Sequence, residues 1–117
     1  MSKSDKLYIS RYNDFYGCLL TKHQSEMIKL YYDFDISLFE IAEQFGISRQ
    51  AVRDTIKRAE QLLIGYEEKL RLSQKFEQMS KCVAQIDTAL DCEDKALCKS
   101  QIDMLKQIME DNDGDIQ

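Results

Sequence analysis

A single glycine divides the middle of the chain into two helical patterns, and this break constrains the fold more than any other feature. From Leu38 to Phe45 apolar residues recur at steps of three and four, the period of an amphipathic helix. The pattern stops at Gly46, a residue type that adopts the left-handed conformation that ends helices. It resumes after Ser48, a residue type favoured at helix starts. The sequence therefore predicts two helices joined by a tight turn.

Helical periods also flank this pair. An N-terminal helix is predicted over residues 5–20, and the spacing of Thr21 and Gln24 predicts a capping box that starts the next helix. Ser37 and Glu40 repeat that spacing before the central pair. The expected inner faces of these helices are Ile9, Tyr12, Tyr16 and Leu19, then Met27, Ile28, Leu30 and Tyr31, then Ile41, Ala42, Ile47, Val52 and Ile56.

The last third of the chain has the pattern of two packed helices. Asp91–Asp94 predicts a tight reversal between them. The first helix carries apolar residues at steps of four and three, which is typical of a helix–helix seam: Leu72, Phe76, Met79, Val83, Ile86 and Leu90. An arm of about 45 residues buries too little surface alone. We therefore expect it to pack on the N-terminal helix or on a second copy of the chain, and a symmetric homodimer is predicted.

These patterns define an all-α fold with two parts. Residues 1–71 are predicted to form an N-terminal helix and a trihelical helix-turn-helix unit. Residues 72–117 are predicted to form an antiparallel helical hairpin that serves dimerisation or partner binding. The chain contains no proline, which suits long helices without interruption.

The charge is unevenly distributed along the chain. Residues 77–117 contain ten acidic residues and four lysines, a net charge of −6, whereas the whole chain has −5. The first 76 residues therefore carry about +1. Any site for a polyanion must be a local patch in this part of the chain.

The second helix of the central pair carries such a patch. Its polar side chains point away from the predicted core, and Arg and Gln read base edges while Lys and Arg neutralise phosphates. The predicted nucleic-acid-binding residues are Arg49, Gln50, Arg53, Asp54, Lys57 and Arg58. Alternatively, this is a solvated helix face in which Asp54 and Glu60 pair with Lys57 or Arg58, and the unit docks proteins.

Other function classes have little support in the sequence. No apolar stretch is long enough to cross a membrane, and the first residues lack the apolar core of a signal peptide, so we expect a cytoplasmic protein. His23 is the only histidine and none of the four cysteines forms a C-x-x-C pair, so we expect reduced thiols and no metal or cofactor. No phosphate-binding loop or convincing catalytic set occurs, which predicts a protein that is not an enzyme.

Two resemblances follow from the quoted residues. The stretch SLFEIAEQFGISRQAVRDTIKRAEQLL resembles the helix-turn-helix of sigma-factor region 4, in which the elements G-I-S, V and R-A recur; here these are Gly46–Ser48, Val52 and Arg58–Ala59. Thr55 departs from sigma-type units, which often carry a basic residue there. The chain more closely resembles the small bacterial YlxM family over about residues 7–72, through DFYGCLLT, LYY, SRQAV-x-D-x-IKR and YEEKL.

The YlxM resemblance implies a partner system that composition and spacing do not. It implies a homodimeric helical protein linked to the signal recognition particle, with the particle's RNA or operator DNA as the nucleic acid. Such a protein would be a regulatory nucleic-acid-binding protein. Two alternatives remain: a protein-interaction adaptor for the signal recognition particle GTPase or its receptor, and a DNA-binding transcriptional regulator.

Overall fold

The computed structural model describes residues 3–111, and every regular element within that range is helical. A 3₁₀ turn (Gly17–Leu19) and a π-helical turn (Lys29–Asp33) accompany the α-helices. The α-helices are α1 (Lys3–Tyr16), α2 (Lys22–Ile28), α3 (Leu38–Phe45), α4 (Arg49–Leu70), α5 (Leu72–Asp91) and α6 (Lys95–Glu110). The predicted all-α class is confirmed, with α3 and α4 as the helix-turn-helix and α5 and α6 as the hairpin. These helices divide into two compact units, with the boundary between Glu68 and Lys69.

The core of the first unit is built around one side of α4. The predicted inner face of α1 is correct at Ile9 and Tyr16, which are buried, and wrong at Leu19, which is 54% exposed. The α-helix ends at Tyr16, and the tighter turn that follows changes the rotation of the chain, so Leu20 enters the core in place of Leu19. The other buried apolar residues of this unit are Met27, Ile28, Tyr32, Ile41, Ala42, Val52, Ile56, Ala59 and Leu63.

Two glutamates on α4 are buried and bonded to tyrosines. The Tyr32 hydroxyl donates to the carboxylate of Glu60, and the Tyr16 hydroxyl donates to Glu67 Oε1 at 2.6 Å. Both glutamates are less than one-tenth exposed. The interpretation of Glu60 as a surface residue paired with Lys57 or Arg58 is therefore wrong. Both hydrogen bonds are buried, so each pair joins α4 to a part of the chain that is distant in sequence.

Tyr12 lies near the second of these pairs. Burial raises the pKa of Tyr12, and the negative charge of Glu67 raises it further. The phenol therefore stays neutral at physiological pH, as does a tyrosine in water.

Gly17 lies where the end of α1 meets α2. The Asn13 amide donates to the Ser25 carbonyl oxygen at 3.2 Å, and the Ser25 hydroxyl donates to Asn13 Oδ1 at 3.1 Å. A Cβ at Gly17 would lie 2.8 Å from Asn13 Oδ1 and 2.9 Å from Ser25 Oγ. These distances are shorter than van der Waals contact, so a larger residue here would displace the Asn13 and Ser25 side chains and disturb the hydrogen bonds between them.

The second unit is the α5–α6 hairpin, and its turn has the predicted position. Glu93 adopts the left-handed conformation with φ 56°, and Asp94 Oδ1 accepts from the Leu97 N–H at 3.0 Å to start α6. Cys82 and Ala89 are buried on α5. The predicted seam leaves four of its six residues exposed in the structure: Leu72 (44%), Phe76 (54%), Val83 (55%) and Leu90 (64%). The buried residues of α5 all have small side chains.

We predict that Gly17→Ala lowers the free energy of unfolding by about 1–3 kcal/mol, because the added methyl overpacks the contact between Asn13 and Ser25. Gly65→Ala is the matched control. A Cβ at Gly65 meets nothing within 4 Å, so alanine there should stabilise the protein by about 0.5–1 kcal/mol as a better helix former. Urea unfolding of both variants measures the difference. Equal effects of the two substitutions would contradict this account of Gly17.

Candidate nucleic-acid interface

The turn between α3 and α4 is closed by backbone hydrogen bonds that depend on Gly46. This glycine has φ 67° and ψ 34°, and its N–H donates to the Glu43 carbonyl oxygen. The N–H of Ile47 donates to the Ala42 carbonyl oxygen at 3.1 Å. These paired bonds form a Schellman motif, which satisfies carbonyl groups that the helix end would leave without partners.

Side-chain caps begin both helices of the pair. Ser37 Oγ accepts from the Glu40 N–H at 3.2 Å at the start of α3. Ser48 Oγ accepts from the Ala51 N–H at 3.0 Å at the start of α4. Both serines act as N-caps as predicted, but the reciprocal bond from the Ser37 N–H to the Glu40 side chain that would complete a capping box is absent. The second one places Arg49 in the first turn of α4, where its side chain is exposed.

The inner residues of the pair are as predicted except at Ile47. Ile41, Ala42 and Val52 are buried, but Ile47 is 40% exposed. The backbone of Ile47 is already held by its bond to Ala42. Its side chain contributes less to the core than expected, because two-fifths of its surface remains exposed.

All six predicted nucleic-acid-binding side chains are exposed, and the helix separates them into two rows. Residues four apart lie on the same side of a helix. Arg49, Arg53 and Lys57 form the first row, which we call the basic row. Gln50, Asp54 and Arg58 form the second row, farther from the core. The basic row runs about 12 Å along the helix axis, from the rise of 1.5 Å per residue.

Carboxylates do not neutralise the basic row in the part of the chain that the structure describes. Arg49, Arg53, Lys57 and Arg58 form no ion pair with a described acidic residue. Asp54 Oδ1 instead accepts from Gln50 Nε2 at 2.9 Å. The expectation that Asp54 pairs with Lys57 or Arg58 is therefore wrong, and the hydrogen bond holds Gln50 within the second row.

The positive charge of this segment is local. Residues 49–58 contain four cations and one carboxylate, a net charge of +3. Residues 1–68 contain nine cations and eleven acidic residues, a net charge of −2. The field near α4 therefore has the opposite sign to the net charge of its unit, as a localised polyanion site requires.

A cleft of about 200 Å³ opens beside the basic row. It lies between α4, the start of α3 and the π-helical turn, and its lining residues are Tyr31, Leu38, Arg53, Ile56, Lys57 and Glu60. Sequence reasoning assigned Tyr31 to the core and Glu60 to the surface, so it did not find this cleft. The spacing of Arg53, Lys57 and Glu60 by four and three residues was the available signal, because it places them on one side of α4.

Other kinds of site have less support among the described residues. No group of three or more His, Cys, Asp or Glu side chains in this range could hold a metal ion. The four cysteines form no disulfides, and only Cys82 is buried. The His23 ring packs edge-on against Phe45, with ring centroids 5.3 Å apart. None of the described helices is long and apolar enough to span a membrane.

Comparison with known proteins agrees with this architecture. Residues 3–108 match the family UPF0122, described as "Putative helix-turn-helix protein, YlxM / p13 like". The chain belongs to the UPF0122 family. A UPF0122 protein of Desulforamulus reducens is 55% identical over 83 residues, which are 71% of each chain. One of Halalkalibacterium halodurans is 54% identical over 78 residues, which are 67% of this chain and 72% of the relative.

The family assignment agrees with the geometry of the interface. UPF0122 proteins are described as helix-turn-helix proteins, an architecture used in nucleic-acid binding and regulation. In this UPF0122 chain the helix after the turn is α4, the helix that carries the basic row. The resemblance to YlxM-like proteins noted from the sequence is therefore confirmed.

We predict that Gly46→Ala lowers the free energy of unfolding by about 1–2 kcal/mol, because an L side chain is strained in the left-handed conformation. A methyl group at this position would meet no atom within 4 Å, so the loss would come from the backbone conformation and not from a steric clash. Gly46→Asn is the matched control, since asparagine tolerates this conformation better. Thermal unfolding compares the two variants. A smaller loss for alanine than for asparagine would contradict the role of the turn.

Proposed function

We propose that this UPF0122 chain is a non-enzymatic, cytoplasmic nucleic-acid-binding protein with a regulatory role. The observation that carries the proposal is the basic row. Arg49, Arg53 and Lys57 are exposed on α4, the second helix of the helix-turn-helix. They form no ion pair with a described carboxylate. They can therefore meet phosphates without first losing a protein partner.

The two rows of side chains suit different parts of a nucleic acid, the phosphates and the base edges. Lys and Arg that neutralise phosphates release counterions, which supplies affinity without sequence preference. The basic row suits that task. Gln50 and Arg58 of the second row suit contacts with base edges, and Asp54 can accept from a cytosine amino group.

The nucleic acid is either the RNA of the signal recognition particle or operator DNA. The YlxM resemblance supports a link to the signal recognition particle, and the helix-turn-helix supports duplex DNA. Duplex recognition by a dimer needs the two α4 helices about 34 Å apart, or a multiple of that distance, to meet successive major grooves. The distance between the paired helices therefore distinguishes operator DNA from RNA.

We predict that the double variant Arg49→Ala/Arg53→Ala binds nucleic acid more weakly and with less dependence on salt. The slope of log affinity against log salt concentration should fall by about two, roughly one for each lost phosphate contact. Fluorescence anisotropy with signal recognition particle RNA and with the DNA upstream of the gene for this chain measures both quantities.

The matched control for this experiment is Lys22→Ala/Lys29→Ala. It removes two exposed cations of the same unit, on and beside α2, outside the basic row. Its salt slope should stay close to that of the unaltered protein. If the two double variants lose affinity equally, the basic row is not the contact and only net charge matters.

A second candidate function, protein association, is favoured by an apolar surface on the hairpin. We call Val83, Leu90, Ile102 and Met109 the hairpin face; each is between 37% and 68% exposed. Cys98 Sγ lies 3.9 Å from the Ile86 carbonyl oxygen, and Lys75 Nζ donates to the Asp111 carbonyl oxygen at 2.7 Å. This antiparallel register sets Val83 beside Ile102, and residues seven apart share a side of a helix. The hairpin face is therefore continuous across α5 and α6.

The occupant that we propose for the hairpin face is a second copy of the chain. Among the described residues, α6 has none that is buried, and the buried apolar residues of α5 are only Cys82 and Ala89. Two hairpins packed through this face would form a four-helix bundle with its large apolar side chains inside. The alternative occupant is the signal recognition particle GTPase or its receptor, which the net charge of −6 in residues 77–117 would suit if that partner is basic.

We predict that Val83→Glu converts a homodimer into a monomer, because it places a charge at the centre of the proposed contact. Gln85→Glu adds the same charge to an exposed position on another side of α5 and should leave the dimer intact. Sedimentation velocity at micromolar concentrations gives the mass of each variant. If the unaltered protein is a monomer, the homodimer is excluded. The signal recognition particle GTPase or its receptor then remains as the occupant to test.

A further inference from the structure

The cleft beside the basic row combines four chemical features in one small space. Tyr31 supplies an aromatic ring that is partly exposed, and Glu60 supplies a carboxylate that is only 8% exposed. Arg53 and Lys57 supply cations at the rim. Leu38 and Ile56 complete the lining with apolar surface. A ligand that satisfies all of these features must have a planar ring, hydrogen-bond donors and a nearby negative charge.

A nucleotide has this combination of groups. Its phosphate would lie on Arg53 and Lys57, and its base would stack on Tyr31, as unpaired bases stack on aromatic side chains. The cleft of about 200 Å³ is smaller than the roughly 300–1,000 Å³ of sites for drug-sized ligands, so it suits a single base. A base held in a duplex cannot enter such a cleft, so the base must be unpaired.

The buried carboxylate selects among the four bases. Glu60 accepts from the Tyr32 hydroxyl, and a carboxylate can accept about four hydrogen bonds in total. Guanine presents two adjacent donors, N1–H and the 2-amino group, which match two acceptor positions of a carboxylate. Adenine and cytosine place a ring acceptor beside their amino group, and uracil places carbonyl oxygens on both sides of its single donor. Each of those acceptors would be repelled by the carboxylate.

From these features we infer that the cleft binds one unpaired guanine, with Glu60 accepting from its Watson–Crick edge, Tyr31 stacking on its ring, and Arg53 and Lys57 holding its phosphate. This inference rests on the proposed nucleic-acid-binding function and deepens it. It adds a base preference that depends on Glu60, a residue outside both rows of the interface. Arg53 and Lys57 thereby serve the basic row and the cleft together.

The test uses the full chain and a synthetic RNA hairpin that has one variable unpaired loop nucleotide. The guanine hairpin should bind about tenfold more tightly than the adenine hairpin, a typical discrimination for a bidentate contact. Inosine lacks the 2-amino group and should give an intermediate affinity. Glu60→Gln keeps an oxygen that accepts from Tyr32 but turns an amide donor toward the base. It should reduce the guanine-to-adenine ratio to about one or two.

Two further variants test whether a change in base selectivity comes from Glu60 itself or from a change in the protein's charge or fold. Glu43→Gln removes an exposed carboxylate from α3 and should keep the tenfold ratio. Tyr31→Leu keeps an apolar wall but removes the ring, so it should weaken every hairpin by roughly tenfold while the ratio is retained. Circular dichroism confirms the fold of each variant. Equal affinity for all four bases, or an unchanged ratio in Glu60→Gln, would overturn the assignment of the cleft.

The same assay identifies the source of the guanine. It also shows whether the cleft assignment alone fails or the proposed function fails as well. A preference for guanine supports the cleft assignment whichever probe shows it. A preference in RNA hairpins alone, in both RNA and DNA hairpins, or for free GMP as a competitor identifies the source of the guanine. If no base preference exists but Arg49→Ala/Arg53→Ala still weakens binding, the cleft assignment fails and the proposed function stands. If no hairpin binds the unaltered protein, the cleft assignment fails, and binding of duplex operator DNA then decides whether the proposed function stands.

Discussion

The burial of one side of α4 is the constraint on which the rest of the first unit depends. Val52, Ile56, Ala59 and Leu63 fix that side in the core. Two tyrosine hydroxyls bind the buried carboxylates of Glu60 and Glu67 on the same helix. This side cannot turn outward without exposing apolar surface and breaking buried hydrogen bonds, so the rotation of α4 is fixed and its cationic side chains stay on the exposed sides of the helix. The exposure of the cationic side chains is therefore a consequence of the core.

Much of the first unit could be predicted because its signals are local. A serine or threonine cap acts within one helical turn, and the capping box at Thr21 and Gln24 is present with both of its hydrogen bonds. The left-handed conformation of Gly46 follows in the same way from the residue type and its position. The π-helical turn at Lys29–Asp33 could not be predicted, since no periodicity specifies the extra residue. In that turn Tyr32 is buried, whereas the preceding residues Leu30 and Tyr31 are only partly buried.

Some features of the candidate site could likewise be predicted from the local sequence, whereas others depend on residues far away in the chain. The exposure of Arg49, Arg53 and Lys57 follows from helical spacing alone. The burial of Glu60 could not be predicted from α4, because it depends on a tyrosine 28 residues earlier in the chain. The hairpin shows a different limit. A helix face that packs inside one chain and a helix face that packs on another chain have the same apolar spacing. The exposure of Val83 and Leu90 could therefore be seen only in the structure.

Site-specific photocrosslinking in cells tests the central claim most directly. A photoreactive amino acid at position 57 lies in the basic row, and one at position 99 lies on α6, far along the chain from it. Sequencing and mass spectrometry then identify what each position captures. The account predicts that position 57 captures a defined nucleic acid that position 99 does not. Capture of protein alone at position 57, or the same nucleic acid at both positions, would contradict it.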